Sequence, residues 1–475
     1  MGLTLGEVVQ GKIDTVGFTL QGILAAAPGI PEGLEEAAAA LRVLTAGEKG
    51  GAVALCSAFV RSFDDELHEL VSRSAPSLAD PLESAPLLSR GAGWRRWVSA
   101  VRGASVAVSE AYRCLLPEAE GAPAGELRLK AATRLRESLK WSLIDRRKPD
   151  GGLWGDWAAL RMVSVATAST DAARQVESEH LVALAHHASA LDQLSLPCAL
   201  AACHLIRLAL PFLSISRKWV SGAQYRLGRV HAPIPVRVIE CPVDAMGEEY
   251  FITAPAVEFL ETFAVRLREG LVPGALAGIA PELSLAAIAH LRSLWAVGSR
   301  QRRNRRHEVD ERIEVLTGWR DSLAALSGAI PVRFEEWKVL DISRSGVRAA
   351  ARVRRDGGIP ELGRLVSSHF PDGTARQVGI VRRVRTAEAG FTDVGIEILS
   401  LAPAYVQADD GREAIDVILC DPLSNGEAVR AIGTQRSLSR GRSLYVVQAG
   451  KVWKLRPMEF SLQGDDFELR VYQVL

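Results

Sequence analysis

An α+β chain of more than one domain is predicted, with a large all-α region first and β-structure after it, and two observations predict this. Up to about residue 230, apolar residues recur at spacings of three and four, as in GLEEAAAALRVL and GELRLKAATRLRESLKW. Beyond about residue 300 they alternate instead, as in EVDERIEVLTG, VRAAARV and VGIEILS. The first spacing gathers side chains on one helix face and the second on one strand face. At 475 residues, 48% of them hydrophobic and 24% charged, the chain is long enough for about three ordinary globular domains.

Along the helical region, breaks are expected at Pro28–Pro31, Ser74–Ser89, Gly121–Gly125 and Pro149–Gly155, where proline, glycine and serine interrupt the period. No fixed period of the kind that marks a solenoid recurs. Residues 231–254, HAPIPVRVIECPVDAMGEEYFITA, change to short β-like runs between prolines. Helical spacing returns from Pro255 to Val297. The helical region is therefore expected over 1–299 with a β-like insertion near 231–254, followed by an arginine-rich linker at 300–307.

A strand-like segment follows the linker, and GWRDSLAALSGAIP, Gly318–Pro331, reads as an inserted short helix and turn. A strand from Trp337 to Ile342 comes next, with further strands in GIVRRVR, Gly379–Arg385, and VGIEILS, Val394–Ser400. The tail, 411–475, alternates again in AIDVILC, SLYVVQAGKVWKL and DFELRVYQV, as a small β-rich extension.

Composition excludes several classes. A formal net charge of +1 provides no global field for nucleic acid or an anionic surface, so anion binding must be local. The longest apolar stretch, Leu194–Ile215, is broken by Pro197, His204, Arg207 and Pro211, so no membrane span is expected. The first residues lack a basic head followed by an apolar run, and the protein is expected in the cytoplasm. The six cysteines form no CxxC pair, which predicts buried thiols without disulfides.

Glu177, Glu179, His180, His186, His187 and His204 gather in one helical stretch, but their spacing matches no metal-binding pattern, and surface positions are expected for them. Neither a phosphate loop nor a nucleophile elbow occurs, and no catalytic residue, metal or cofactor is predicted.

Two short strings carry the functional signal. The first is Arg302-Arg303-Asn304-Arg305-Arg306, in which Arg302 and Arg306 are four apart. The second is WKVLDISRSG, with Asp341, Ser343 and Gly346 in a DxSxxG spacing. Arginine's planar fork holds phosphate bidentately, reads the O6/N7 edge of guanine and stacks on a base. Asp341 complements it by accepting from the N1 and N2 donors of guanine. Ser343 adds a hydroxyl for a phosphate oxygen or an amine, and Gly346 removes a Cβ where a chain or ligand must come close.

An RxxxR before a DxSxxG, with strands like GIVRR and VGIEIL after it, resembles the PilZ domain, a bacterial receptor for cyclic di-GMP. The resemblance covers residues 300–405. It implies a small antiparallel β-barrel, with cyclic di-GMP held by Arg302, Arg303, Arg306, Asp341, Ser343 and Gly346. A long helical region before such a barrel is similar in layout to PilZ proteins of type IV pilus and surface-motility systems, which implies a protein partner from such a system.

Two other readings remain open. The barrel could be a protein-interaction adaptor without ligand. Alternatively, the arginine cluster could clamp nucleic acid, which the near-neutral charge disfavours.

Overall fold

The computed structural model of the chain describes residues 29–46, 53–74, 92–116, 121–149, 151–166, 171–220, 223–227, 235–237, 248–296, 305–328, 331–353, 360–371, 376–386, 390–438, 441–464 and 466–475. The chain divides into two compact units, Met1–Gln301 and Arg302–Leu475.

In the first unit, helices α1 (Ile30–Ala46), α2 (Val53–Ser74), α3 (Ala92–Leu115), α4 (Gly121–Ile144), α5 (Gly151–Ala166), α6 (Asp171–Ala188) and α7 (Leu196–Ala209) share one apolar core with α8 (Ala254–Arg268) and α9 (Pro281–Trp295). Strands β1 (Ser214–Ser216), β2 (Ala223–Leu227), β3 (Val236–Arg237) and β4 (Glu249–Ile252) form a sheet in the order β1-β4-β2-β3. Strand structure thus begins at Ser214, earlier than the expected insertion at 231. The expected breaks at Gly121–Gly125 and Pro149–Gly155 reach into the first turns of α4 and α5. Glycine and proline are tolerated there because first-turn N–H groups have no intrahelical acceptor. The stretch Leu194–Ile215 divides into α7, a 3-10 turn and β1, and no helix among the described residues is long and apolar enough to cross a membrane.

Inside this unit the Asp64 carboxylate lies only 2% exposed. It accepts hydrogen bonds from Arg134 Nε, Tyr112 Oη at 2.9 Å and Lys130 Nζ at 3.3 Å, which ties α2 to α3 and α4. A buried carboxylate is stable only when paired in this way.

His180 and His186 are not surface residues, contrary to expectation, since they are 4% and 1% exposed. Val176, His180 and Ala183 follow the buried stripe of α6, so both rings sit in the core. Glu177 and Glu179 do face polar partners, Arg161 and Arg207. Among the described residues no three metal-binding side chains come together. Cys114 also departs from expectation in being exposed, whereas Cys198 and Cys420 are buried.

Burial, with help from the Arg161 and Arg136 charges, holds the His180 and His186 pKa values well below the ordinary 6.5. Both rings are thus neutral in the fold and titrate near 6.5 when unfolded. Their contribution to stability is complete above that value. It is lost as pH falls toward the folded pKa, at about 1.4 kcal/mol per pH unit for each histidine. The urea midpoint for loss of helical signal is expected to drop between pH 7.5 and 5.5, and His186→Leu should make that drop shallower. An equal drop in the variant would assign the effect to other groups.

The second unit holds two closed six-stranded antiparallel barrels. The first is built from β6 (Arg312–Thr317), β7 (Glu335–Ser343), β8 (Gly346–Arg352), β9 (Leu365–His369), β10 (Gln377–Thr386) and β11 (Phe391–Ser400). Its ring runs β6-β7-β8-β11-β10-β9 and returns to β6, and the short β5 (His307–Glu308) pairs with the end of β7. The expected extension begins earlier than 411 and is itself a barrel. Its strands are β12 (Ala404–Asp409), β13 (Ala414–Leu419), β14 (Ala428–Thr434), β15 (Leu444–Gln448), β16 (Lys451–Gln463) and β17 (Phe467–Val474). Its ring, β12-β13-β14-β17-β16-β15, repeats the first strand for strand.

Alternating residues fill each barrel: Ile313, Trp337, Val347 and Val394 in the first, and Val417, Val429, Leu455 and Tyr472 in the second. A third core joins the two barrels through outward-facing residues, Leu365, Val378, Ile380 and Leu399 against Ile418, Cys420, Ile432 and Leu469. Helix α10 (Trp319–Ser327), the expected insert, packs Trp319, Leu323 and Leu326 onto this shared core. The Asp466 carboxylate accepts the backbone N–H of Trp319 and, at 3.1 Å, that of Leu365, so a loop of the second barrel is fastened to the first.

Candidate functional site

On β8 the core takes Val347, Ala349 and Ala351, so Gly346, Arg348, Ala350 and Arg352 point outward. On β7 the core takes Trp337 and Val339, and strict alternation would send Asp341 inward with them. The register prevents this, because Val339 pairs with Ala349 and Asp341 with Arg348, leaving Leu340 without a partner. This one-residue bulge reverses the parity of the strand. Asp341 and Ser343 thereby move to the outer face, and Ile342 turns back toward the core.

Arg348 stands opposite Asp341 and also opposite Gly395 of β11. Its Nε donates to Asp393 Oδ1 at 3.0 Å and its Nη2 to Asp393 Oδ2 at 2.8 Å, which is a two-point hold. Its Nη1 lies 3.5 Å from Asp341 Oδ2. The hydrogen bonds to Asp393, followed by the charges of Asp393 and Asp341, push the Arg348 pKa up, so it is a permanent cation.

From the linker side, β5 pairs His307 with Ile342 and Glu308 with Asp341, which brings the preceding residue to the same place. Arg306 Nη1 donates to Asp341 Oδ1 at 2.6 Å. One carboxylate therefore lies between two guanidinium groups and is 11% exposed beneath them, while the Arg306 and Arg348 side chains are about two-fifths exposed. Asp341 is thus a largely buried carboxylate satisfied by two partly exposed guanidinium groups, and removing either arginine would leave it with a single cationic partner.

Of the residues singled out from sequence, Arg306 and Asp341 are thus in contact, with Ser343 and Gly346 beside them. Arg302 and Arg303 lie outside the described residues. Ser343 closes the hairpin locally, where its Oγ donates to the Gly346 carbonyl at 3.2 Å across the turn. Gly346 is required by its neighbour strand, since a Cβ there would stand 2.8 Å from the Ile396 carbonyl oxygen.

Sequence reasoning missed Arg348 and Asp393. Arg348 was legible, because it lies two residues after Gly346 and so shares its face. Asp393 had no local signal, as it reaches the site through long-range pairing of β11 with β8.

The second barrel carries a similar pair on its corresponding hairpin. Arg430 of β14 donates to Asp421 through Nε at 2.9 Å and Nη2 at 2.6 Å. The face around it is occupied, however, because Ile418, Cys420 and Ile432 are buried against the first barrel. The Arg430–Asp421 pair itself is partly exposed, so among the described residues the two barrels differ in the apolar seam beside the pair and not in access to it. No protein-family model matches the chain, and no curated protein matches it.

Gly346→Ala is expected to destabilise the second unit by about 2 kcal/mol, because its methyl must displace backbone in the barrel wall. The check is the denaturant midpoint of the barrel signal, and an unchanged midpoint would mean that β8 and β11 separate without cost.

Proposed function

We propose that the first barrel is a PilZ-type receptor for cyclic di-GMP, with the ligand seated on the outer face of β7, β8 and β11. One observation carries this reading: Arg306 of the linker and Arg348 of the barrel wall converge on Asp341 on a solvent-facing surface. Two cations suit the phosphates and the O6/N7 edge of guanine, and the carboxylate suits its N1 and N2 donors.

Ligand binding exchanges partners on this surface. The Arg306–Asp341 contact opens, Asp341 accepts from the base, and Arg306 turns to phosphate or to a base face. Arg302 and Arg303, four and three residues before Arg306, supply further cations from the same linker. Because the linker joins the barrel to the helical unit, fixing it on the ligand restricts the arrangements open to that unit. Signalling of this kind requires only that the ligand bind one arrangement better than another.

The energetics are adequate. Charge-assisted hydrogen bonds contribute about 1.5–3 kcal/mol each and base stacking about 1–3. Three or four such contacts, less the cost of association, are consistent with the roughly 8 kcal/mol of a micromolar complex.

Calorimetric titration with cyclic di-GMP, cyclic di-AMP and GTP tests the reading. Cyclic di-GMP is expected to bind preferentially, with Arg306→Ala and Asp341→Ala each weakening it about thirtyfold, equivalent to about 2 kcal/mol. Absence of binding would favour the ligand-free adaptor. Equal binding of all three with steep salt dependence would favour a general polyanion clamp.

A further inference from the structure

The outer rows of β8 and β11 continue past the site. Gly395 pairs with Arg348, Asp393 with Ala350 and Phe391 with Arg352. Arg352 therefore lies on the same face as Arg348, four residues and roughly 13 Å further along the strand. Between them stands Ala350, whose small side chain leaves the surface low. A groove of about 850 Å³ opens there, and Ala350, Arg352 and Phe391 are among its walls.

Two features of this groove suit one half of a cyclic dinucleotide. The first is flat surface. Phe391 is 36% exposed, with the Arg352 guanidinium 5.8 Å from its ring centre. On the opposite wall Phe334 carries Arg376 at 5.1 Å. A ring paired with a guanidinium stacks on any base face.

The second feature is charge. Arg312, Arg333, Lys338 and Arg352 line the groove against two carboxylates, Glu335 and Glu336. Glu336 accepts from Arg312 at 2.5 Å, Glu335 accepts from the Trp337 ring nitrogen at 3.1 Å, and Lys338 is paired with Asp310 at 2.9 Å. Four cations thus face three carboxylates, which leaves a small cationic excess.

We propose that this groove is the subsite for the distal base of the dinucleotide, with Phe391 and Arg352 as its stacking surface and Lys338, exchanging Asp310 for the ligand, beside one of the two phosphates that connect it to the Asp341 site. The proposal rests on the receptor reading above. It assigns the ligand an extended course along β8, with one guanine at Asp341 and the other at Phe391. A receptor built in this way distinguishes a dinucleotide from its mononucleotide half, because only the former reaches both positions.

The test compares cyclic di-GMP with GMP on the full chain and on Phe391→Ala, Arg352→Ala, Phe391→Tyr and Asp341→Ala, using calorimetry for the first ligand and NMR titration for the second. Phe391→Ala and Arg352→Ala are each expected to weaken cyclic di-GMP about tenfold and to leave GMP unchanged. Phe391→Tyr should restore binding, and Asp341→Ala should weaken both ligands. Circular dichroism confirms that the exposed-site variants keep the barrels. If Asp341→Ala loses cyclic di-GMP while the Phe391 and Arg352 variants bind as the parent does, or weaken GMP equally, the subsite is overturned and the receptor reading stands. If the parent chain binds no cyclic di-GMP, the receptor reading fails and the subsite falls with it.

Discussion

A single unpaired residue, Leu340, determines which way Asp341 points. Without it, the alternation that puts Trp337 and Val339 in the core would put Asp341 there too, as a carboxylate among valines. Such burial would cost several kcal/mol unless a partner followed it inward. With the bulge, the same side chain reaches the outer face opposite Arg348, and the short pairing of β5 with β7 brings Arg306 to its other side. The Asp393 hold on Arg348 and the groove toward Phe391 belong to the outer face set by regular alternation of β8 and β11, and the parity change places Asp341 on that same face.

The two barrels repeat one topology but differ in what borders the matching face. Both barrels use the same ring order, and both have an acid–arginine pair at the second hairpin. In the second barrel that face bears Ile418, Cys420 and Ile432, which the first barrel covers. The outer row of β11 links the two regions, from Phe391 through Asp393, Gly395 and Glu397 to Leu399 in the shared core. The seam between the two barrels is apolar and is fastened by Asp466.

Much of this was legible in the sequence. Alternation located β7, β8, β10 and β11, and GWRDSLAALSGAIP gave α10. The hairpin that Ser343 and Gly346 close was not read from the DxSxxG spacing, although serine and glycine are turn residue types. Less legible was anything set by pairing between distant segments. The bulge at Leu340, the arrival of Asp393 beside Arg348 and the closure of the tail into a barrel through β12 and β15 have no local pattern. His180 and His186 were misread for a different reason. Their residue type suggested a surface, whereas their spacing with Val176 and Ala183 already placed His180 on the buried stripe.

The most direct measurement is a crystal structure of the chain with cyclic di-GMP. The account predicts a guanine Watson–Crick edge within hydrogen-bonding distance of the Asp341 carboxylate, with Arg306 moved from Asp341 onto the ligand and Arg348 still held by Asp393. A ligand bound elsewhere, with the Arg306–Asp341 contact intact, would contradict it.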